Sequence, residues 1–461
     1  MEKLEKLFGG IRFWIAVTFL HRLASILQPP LEVAHNWRQT TVTMVARNFL
    51  EIDPNIFYPR VDMAGELSGI TGMEFPLLNY LIYLVSLIFG YEHWYGRLIN
   101  LIVSSVGIWC FYDLLKHYFN KKVAFSSAMV LLFSLFYYYS RKIMPDTFSV
   151  SLIFAGIWVW KNFVLTSNFW KYFIGSLFIV LGVLSKLPSV MILAFLWPLM
   201  LEANWNKRIF MSCAIGVTGV IAALWYFYWV PYLQREYGYE HFFMGNTIAW
   251  TFQFLLNNWQ ETLHMFYVKA AGFSGFVVAF IGLFFLIRSA LSAKLIVGFS
   301  FILFAILMLK SGDKFTDHEY YIIPFIPVMA LLAGISLSAL KPKLLLMALL
   351  IISVEGVARK WEDQFIKSGK QLTHLDEMLD PYMTNSDLIV INSDELPTPM
   401  YFAHRKGWVL PNQTLQQPQE IEQLKSKGCK FILVLKKRFG SDVTLPYGLK
   451  ADTELFKLYE L

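Results

Sequence analysis

The chain has 461 residues, of which 56% are hydrophobic and only 16% are charged, a composition that excludes an ordinary water-soluble enzyme. The formal net charge of +7 comes from lysines and arginines grouped in short segments between apolar runs. Such grouping is typical of membrane-protein loops, so no nucleic-acid partner is indicated. Of the three cysteines only Cys429 lies in a polar region, which leaves no disulfide framework and no zinc site.

About ten apolar runs along the chain approach the roughly 20 residues that an α-helix needs to cross a hydrocarbon core. Runs such as 123–139 and 209–230 lack the alternation of barrel strands, so the spans are helical. The first run, 13–27, contains His21 and Arg22 and has no small-residue cleavage site, which favours a retained helix over a secretory signal. The predicted fold is a mainly α, polytopic transmembrane helical bundle.

A polar stretch, His35–Pro76, follows the first apolar run and belongs to a predicted outer loop of about residues 30–94. Its segment HNWRQ precedes apolar residues at helical spacing, which predicts a helix lying flat on the membrane. Glu74-Phe75-Pro76 then opens a second apolar segment, 75–89, which is too short to span and is predicted to lie in the outer interface.

Short basic segments recur two apolar runs apart and predict the cytoplasmic side, together with the N-terminus. They are 116–122, 161–171, 204–208, 288–294 and 341–343. The first loop, Arg141, Lys186, residues 231–269 and 310–319, and the tail after Glu355 then lie outside, and about eleven crossings result.

Lys186 closes a short helical hairpin near the outer surface, where its ammonium either snorkels to water or meets the phosphate of a lipid-linked ligand. The segment 310–321 lies on the same predicted face and ends in His318, Glu319, Tyr320 and Tyr321. With Asp317, this group allows a divalent cation as one alternative, and helix capping or aromatic-belt anchoring as another.

The tail, residues 357–461, is polar and is predicted to be a small soluble α/β domain on the outer side, distinct from a transmembrane domain of residues 1–356. Residues 387–392 and 430–435 are predicted strands, and 399–406 and 420–427 are predicted helices. The tail has neither GxGxxG nor a P-loop, so no nucleotide site is predicted there.

The order of several motifs resembles the GT-C class of polytopic glycosyltransferases. These motifs are a polar first loop with flat helices, Glu-x-Pro at the next helix, Met-Pro-Asp, Lys-x-Pro in a hairpin, and His-x-Tyr-Tyr before Pro-x-x-Pro. The segments HNWRQ, ARNF, YPRVD and GMEFP, with the tail segment 401–408, are similar to the bacterial protein-mannosyltransferase-like branch that includes aminoarabinose transferases of lipid A. The resemblance extends over nearly the whole chain.

The resemblance implies an inverting glycosyltransferase of the bacterial cytoplasmic membrane. Such an enzyme moves a sugar from a polyprenyl-phosphate donor to a lipid, glycan or protein acceptor on the periplasmic or exterior face. A carboxylate deprotonates the acceptor, and basic groups stabilise the departing phosphate. The candidate catalytic residues are Glu74, Asp62 and His35. The candidate substrate-binding residues are Arg38, Gln39, Arg60, Arg141, Asp146, Lys186, His318, Tyr320 and Tyr321.

One position departs from this family pattern. Relatives commonly carry an aspartate just after WRQ, where this chain has Thr40-Thr41-Val42. Either another of the three candidates has taken the role of the base, or the chain is an inactive lipid-binding or assembly protein. A lipid or sugar transporter is a third alternative, but neither interrupted helices nor related halves are recognisable in the sequence.

Overall fold

The structure is a computed structural model that describes residues 10–241, 245–436 and 443–461. It is mainly α-helical with one small sheet near the C-terminus, which confirms the predicted fold class. In these ranges five helices are long and apolar enough to cross a bilayer, or six if the bent pair Trp259–Ala270 and Gly272–Leu286 forms one span. The protein is an integral membrane protein, and the count of about eleven crossings remains a prediction.

The described part of the first half of the chain contains ten α-helices, and from the third onward they follow one another through short connections. They are α1 (Ile11–Arg22), α2 (Asn36–Glu51), α3 (Leu77–Phe89), α4 (Tyr95–Tyr118), α5 (Lys121–Leu132), α6 (Leu135–Tyr139), α7 (Pro145–Thr166), α8 (Phe169–Ser185), α9 (Trp197–Glu202) and α10 (Trp205–Ala223). A 3-10 helix, Leu187–Leu196, precedes α9, and a π-helix, Leu224–Trp229, follows α10.

The α-helices of the second half are shorter near the C-terminus. They are α11 (Val230–Tyr237), α12 (Ile248–Asn257), α13 (Trp259–His264), α14 (Gly272–Leu286), α15 (Leu291–Ser311), α16 (Asp313–Asp317), α17 (Ile326–Ser338), α18 (Pro342–Lys360), α19 (Leu375–Leu379), α20 (Thr398–Ala403), α21 (Asn412–Leu415) and α22 (Pro418–Ser426). A π-helix, Met265–Ala270, joins α13 to α14, and 3-10 helices cover Glu319–Phe325, Glu362–Gln364 and Lys370–His374.

Two predicted short elements are present. Helix α3 has 13 residues and is therefore about 20 Å long, less than the thickness of a hydrocarbon core. Lys186 stands in extended conformation between α8 and the 3-10 helix Leu187–Leu196, where the hairpin was predicted. Pro188 suits the first turn of that 3-10 helix because it has no N–H to leave unpaired.

The C-terminal sheet contains β1 (Leu388–Ile391), β2 (Lys406–Val409), β3 (Cys429–Leu435), β4 (Gly448–Asp452) and β5 (Phe456–Glu460), in the order β2-β1-β3-β5-β4. Strand β1 is parallel to β2 and β3, whereas β5 is antiparallel to β3 and β4. The predicted strands are β1 and β3. The predicted helix 399–406 is shorter, because His404 adopts a left-handed conformation with φ 49° and ends α20 before β2 begins.

The chain forms two compact units. The first unit comprises the described parts of Met1–Ile26, Arg97–Tyr226 and Phe243–Glu362, and the second those of Leu27–Gly96, Phe227–Phe242 and Asp363–Leu461. The second unit therefore combines the first polar loop with the C-terminal sheet. The division predicted from the sequence, into residues 1–356 and 357–461, was based on composition, whereas the two units are defined by contacts in the structure. The predicted division remains a prediction.

Backbone hydrogen bonds join the first loop to β2 inside the second unit. The N–H of Gly65 donates to the carbonyl of Gly407 at 2.7 Å, and the N–H of Gly407 donates to the carbonyl of Asp62 at 2.9 Å. Gly65 has φ +61°, and a Cβ added there would lie 2.4 Å from the indole nitrogen of Trp408. The close approach of the indole therefore requires glycine at position 65. The two backbone hydrogen bonds join the first loop and the sheet into one folded body.

Because the first loop and the sheet fold together, we expect both to face the same side of the membrane. In a cysteine-free background, Ser68→Cys and Ser386→Cys, both at exposed positions, should react with a membrane-impermeant maleimide in cells with an opened outer barrier. Thr166→Cys, in a predicted cytoplasmic loop, should react only after permeabilisation. Labelling of only one of the two outer positions in intact cells would contradict the topology. Ser441, another natural choice in the tail, lies outside the described residues.

Candidate functional site

An ion pair links α2 to the segment that precedes α3. The guanidinium of Arg38, in the first turn of α2, donates to Oε1 of Glu74. The two side chains are 17% and 9% exposed, so the pair is largely shielded from water. Gly72 allows the segment to reach this place, because a Cβ there would lie 2.6 Å from a side-chain carbon of Val230. A predicted base and a predicted phosphate ligand are thus brought together.

His241 lies within the electrostatic range of this pair and was missed in the sequence. Burial lowers the pKa of its imidazole to about 4, and the positive charge of Arg38 acts in the same direction while Glu74 opposes it. The ring is therefore neutral at neutral pH, with one nitrogen able to accept a hydrogen bond. No motif surrounds His241 in the sequence, and its position in a long outer loop was the only signal.

Asp62, the second predicted base, is held by donors from α2 on both carboxylate oxygens. Arg47 Nη2 donates to Oδ2 at 2.7 Å, and Asn48 Nδ2 donates to Oδ1 at 2.7 Å. Burial lowers the pKa of Arg47, but the neighbouring acidic groups, of which Asp62 acts most strongly, together outweigh burial and raise that pKa. Arg47 also donates to the carbonyl of Tyr401 at 3.0 Å. These contacts describe a buried structural ion pair that ties the loop to α20.

The remaining predicted residues of the first loop have local roles in the structure. His35 precedes α2 in a left-handed conformation, and its carbonyl accepts from the N–H groups of Arg38 and Gln39 at 3.1 and 3.2 Å. Gln39 is fully buried. Arg60 pairs with Asp53 at 3.0 Å, and that carboxylate is 39% exposed.

Thr40 and Thr41, which replace the usual acidic residue, direct their hydroxyls onto α2 itself. Both donate to the carbonyl of Trp37, at 2.8 and 2.9 Å. The hydroxyl of Thr40 also lies 3.2 Å from that of Thr398. Hydroxyls bonded back to the helix one turn earlier are poorly placed to take a proton from a ligand.

A second group of predicted residues gathers in the first unit. Lys186 Nζ lies 3.7 Å from Oδ1 of Asp146 and 5.5 Å from the ring centroid of Tyr320. The His318 ring stacks on Tyr320 with centroids 5.3 Å apart and 8° between planes, and the Tyr321 ring also stacks on Tyr320, with centroids 5.0 Å apart. The ammonium is thus placed between a carboxylate and an aromatic face, both of which stabilise a cation.

Asp146 is suited to a ligand as well as to Lys186. It lies in the first turn of α7 after Met144 and Pro145, where the helix dipole favours a negative charge. The carboxylate is 3% exposed, and within the described ranges its Oδ2 has no hydrogen-bond partner. One carboxylate oxygen therefore remains available to a hydroxyl or an ammonium of a bound molecule.

The loop between α6 and α7 is fixed by Asn100 of α4, a residue that the sequence analysis missed. The amide nitrogen of Asn100 lies 2.8–3.2 Å from the carbonyls of Tyr139, Lys142 and Met144. Arg141 in this loop is fully buried and donates to the carbonyl of Ser25 at 3.2 Å. A lone asparagine in an apolar helix was the only sequence signal.

Within the described ranges, no three His, Cys, Asp or Glu side chains gather in a way that could hold a metal ion. Glu319, one of the residues considered for a divalent cation, instead accepts hydrogen bonds from Lys360 Nζ at 3.0 Å and from the Tyr139 hydroxyl at 3.1 Å.

We expect Asp62→Asn to destabilise the protein by about 3 kcal/mol, because it leaves the Arg47 guanidinium buried beside a neutral amide. Asp53→Asn is the matched control: its pair with Arg60 is more exposed and should cost less than about 1 kcal/mol. Denaturation of the purified variants in detergent measures both. If Asp62→Asn keeps the parental stability but loses activity, Asp62 belongs to the catalytic machinery instead.

The neutral state of His241 predicts a pH dependence of stability. The unfolded chain protonates this residue below its ordinary pKa of about 6.5, whereas the folded protein does so only near 4. Stability from His241 is therefore present above pH 6.5 and is lost as the pH falls toward 4. The difference in melting temperature between the parent and His241→Gln should shrink between pH 7.5 and pH 5, while exposed His374→Gln should show no such trend. An equal difference at both pH values would refute the assignment.

The chain is similar to known proteins in part of its sequence and in its fold. Residues 74–230, about a third of the chain, match the sequence family described as dolichyl-phosphate-mannose-protein mannosyltransferase. This match begins at Glu74 and includes Asp146 and Lys186. No curated protein sequence is significantly similar to the chain.

The fold is similar to that of ArnT from Cupriavidus metallidurans. In the apo state the TM-score is 0.60 at 11% identity, covering 97% of both chains. With undecaprenyl phosphate bound to ArnT, the TM-score is 0.60 at 10% identity, covering 97% of this chain and 98% of ArnT. An oligosaccharyltransferase from Archaeoglobus fulgidus, in complex with zinc and sulfate, aligns with a TM-score of 0.58 at 15% identity, covering 91% of this chain and 67% of that one. The resemblance to GT-C-class glycosyltransferases is thereby confirmed, in sequence over residues 74–230 and in fold over nearly the whole chain.

Proposed function

We propose that the protein is a membrane glycosyltransferase that takes a sugar from a polyprenyl-phosphate donor. The main support is the fold it shares with ArnT over 97% of the chain, including a structure of ArnT that holds undecaprenyl phosphate. The family match over residues 74–230 adds support from sequence. The family resemblance implies a lipid, glycan or protein acceptor at the bacterial cytoplasmic membrane, and the distribution of basic loops predicts that the site faces the outer side.

Lys186 is the proposed ligand of the donor phosphate. A lysine is a common phosphate binder because its ammonium is a compact charge with three donors. Its Nζ lies 3.7 Å from Oδ1 of Asp146, a distance longer than that of a hydrogen bond. The Tyr320 ring lies near the same ammonium, and the His318 ring stacks on that of Tyr320.

Glu74 is the proposed base among the three candidates. Both oxygens of Asp62 are occupied by donors from α2, which leaves Glu74 and His35 as candidates. Glu74 is bonded to Arg38 through Oε1, and a neighbouring guanidinium favours the ionised form that a base requires. His241, held neutral nearby, is a further proton acceptor that the sequence analysis did not consider.

The proposed reaction is a single displacement. The carboxylate takes the proton of the acceptor hydroxyl, whose oxygen attacks the anomeric carbon from the side opposite the phosphate. The bond between that carbon and the phosphate oxygen breaks, the polyprenyl phosphate departs, and the configuration inverts. Cations around the phosphate stabilise the negative charge that develops on it.

An inactive lipid-binding or assembly protein is the second candidate function, and one observation favours it. The hydroxyls of Thr40 and Thr41 are committed to the helix where relatives carry an acid, so that stretch has no group to act as base. Such a protein would bind polyprenyl phosphate without transferring a sugar.

We expect Glu74→Gln to lower turnover by roughly two to four orders of magnitude, the range that general base catalysis supplies, with donor binding nearly unchanged. The assay incubates purified protein in lipid nanodiscs with a panel of polyprenyl-phosphate sugars and scores release of free polyprenyl phosphate. Glu66→Gln, an exposed carboxylate of the same loop, is the matched control and should keep parental rates. Asp62→Asn and His35→Ala are compared in the same single-turnover format.

The outcomes separate the candidates. If Glu74→Gln, Asp62→Asn and His35→Ala all keep near-parental rates, the base lies elsewhere. If the parent transfers no sugar from any donor but binds undecaprenyl phosphate, the chain is a binding protein.

A further inference from the structure

Glu319 is a buried carboxylate that receives donors from three separate helical elements of the first unit. Its Oε1 accepts from the Tyr139 hydroxyl at 3.1 Å and from Lys360 Nζ at 3.0 Å, while its Oε2 lies 3.4 Å from Lys269 Nζ. Tyr139 ends α6, Lys269 belongs to the π-helix before α14, and Lys360 ends α18. The side chain is only 8% exposed, so these contacts replace most of its hydration.

The residues on either side of Glu319 in the chain belong to the proposed donor site. Tyr320 follows directly and has its ring 5.5 Å from Lys186 Nζ, while His318 precedes it and stacks on Tyr320. A carboxylate anchored at three points fixes the backbone of this tripeptide, and thereby fixes the aromatic surface that Lys186 contacts.

Two residues of α18 hold the segment around Lys269, one of the three residues that contact Glu319. Arg359 donates to the carbonyl of Lys269 at 3.2 Å, and Glu355 accepts from the N–H groups of Phe273 and Ser274 at 2.6 and 2.9 Å. These bonds lie on either side of a 101° bend between the helices. Gly272 at the bend has φ +76°, and a Cβ there would lie 2.7 Å from the carboxylate of Glu355. Helix α18 thus bonds to both sides of the bend and holds Lys269 close to Glu319.

We propose that Glu319 is a positioning residue for the donor phosphate, acting through Tyr320 on Lys186; this inference rests on the proposed function of Lys186. The carboxylate does not need to touch the donor for this role. With its charge removed, Lys269 and Lys360 lose their common counter-ion, and the start of the 3-10 helix Glu319–Phe325 is no longer fixed against them.

The test is a double-mutant cycle on binding of undecaprenyl phosphate to the full chain in nanodiscs. We expect Lys186→Ala and Glu319→Gln each to raise the Kd on the order of tenfold, and the double variant to bind no worse than Lys186→Ala alone. In the transfer assay Glu319→Gln should raise the KM for the donor more than it lowers kcat. Asp317→Asn, an exposed carboxylate two residues away, is the matched control and should bind as the parent does.

Each outcome decides between the proposals. If Lys186→Ala weakens binding and Glu319→Gln does not, the positioning role is refuted while the donor site stands. Fully additive losses also refute it, because Glu319 then acts independently of Lys186. Unchanged binding in Lys186→Ala refutes the donor site itself. Should Glu319→Gln fail to fold, the same cycle with Lys269→Gln, a partly exposed anchor, replaces it and is expected to give a smaller loss in the same direction.

Discussion

The requirement that a charge removed from water must have a partner shapes both units of this protein. An unpaired ion in a low-dielectric site costs several kcal/mol, so charged residues beside apolar helices persist only in pairs or clusters. Lys186 with Asp146 and Lys360 with Glu319 meet this requirement in the first unit, and Arg38 with Glu74 and Arg47 with Asp62 meet it in the second. Each pair joins segments well separated in sequence, so that pairing also fixes where those segments lie.

The carboxylates in these pairs differ in how many of their oxygens have hydrogen-bond partners within the protein. This difference distinguishes carboxylates that hold the structure from those that can still bind a ligand. Asp62 and Glu319 are each surrounded by internal donors, which leaves them little capacity to bind a ligand. Asp146 keeps one oxygen without a partner in the described ranges. A fully satisfied buried network makes a rigid frame, whereas an incompletely satisfied polar group is expected where a substrate completes it. By this criterion Asp146 is a better candidate than Asp62 or Glu319 for contact with a substrate.

Hydropathy and spacing were sufficient to predict the class of fold, the short helix α3, the turn at Lys186 and strands β1 and β3, because each depends on local composition. Strands β2, β4 and β5 were missed: β2 begins at Lys406, inside a segment predicted as helix, and β4 is mostly exposed and forms only through pairing with β5. The candidate residues were recognised individually, but their partners were not. Nothing in the sequence indicates that Arg38 meets Glu74, that His241 lies near them, or that Asn100 holds the loop before α7, since these contacts arise from tertiary packing.

The resemblance implies a carboxylate in the first turns of α2, where this chain has Thr40 and Thr41, and in this structure another carboxylate reaches the same part of the helix. Glu74 is bonded to Arg38, which lies three residues before Thr41, and residues three apart share one face of a helix. The proposed base, Glu74, therefore comes from the segment before α3 rather than from α2. The Glu74 carboxylate is held at the end of the Arg38 side chain rather than on α2 itself. Its position relative to an acceptor hydroxyl therefore depends on that ion pair. Loss of the base should then slow proton removal from the acceptor, while the donor phosphate, whose proposed ligand is Lys186, remains bound.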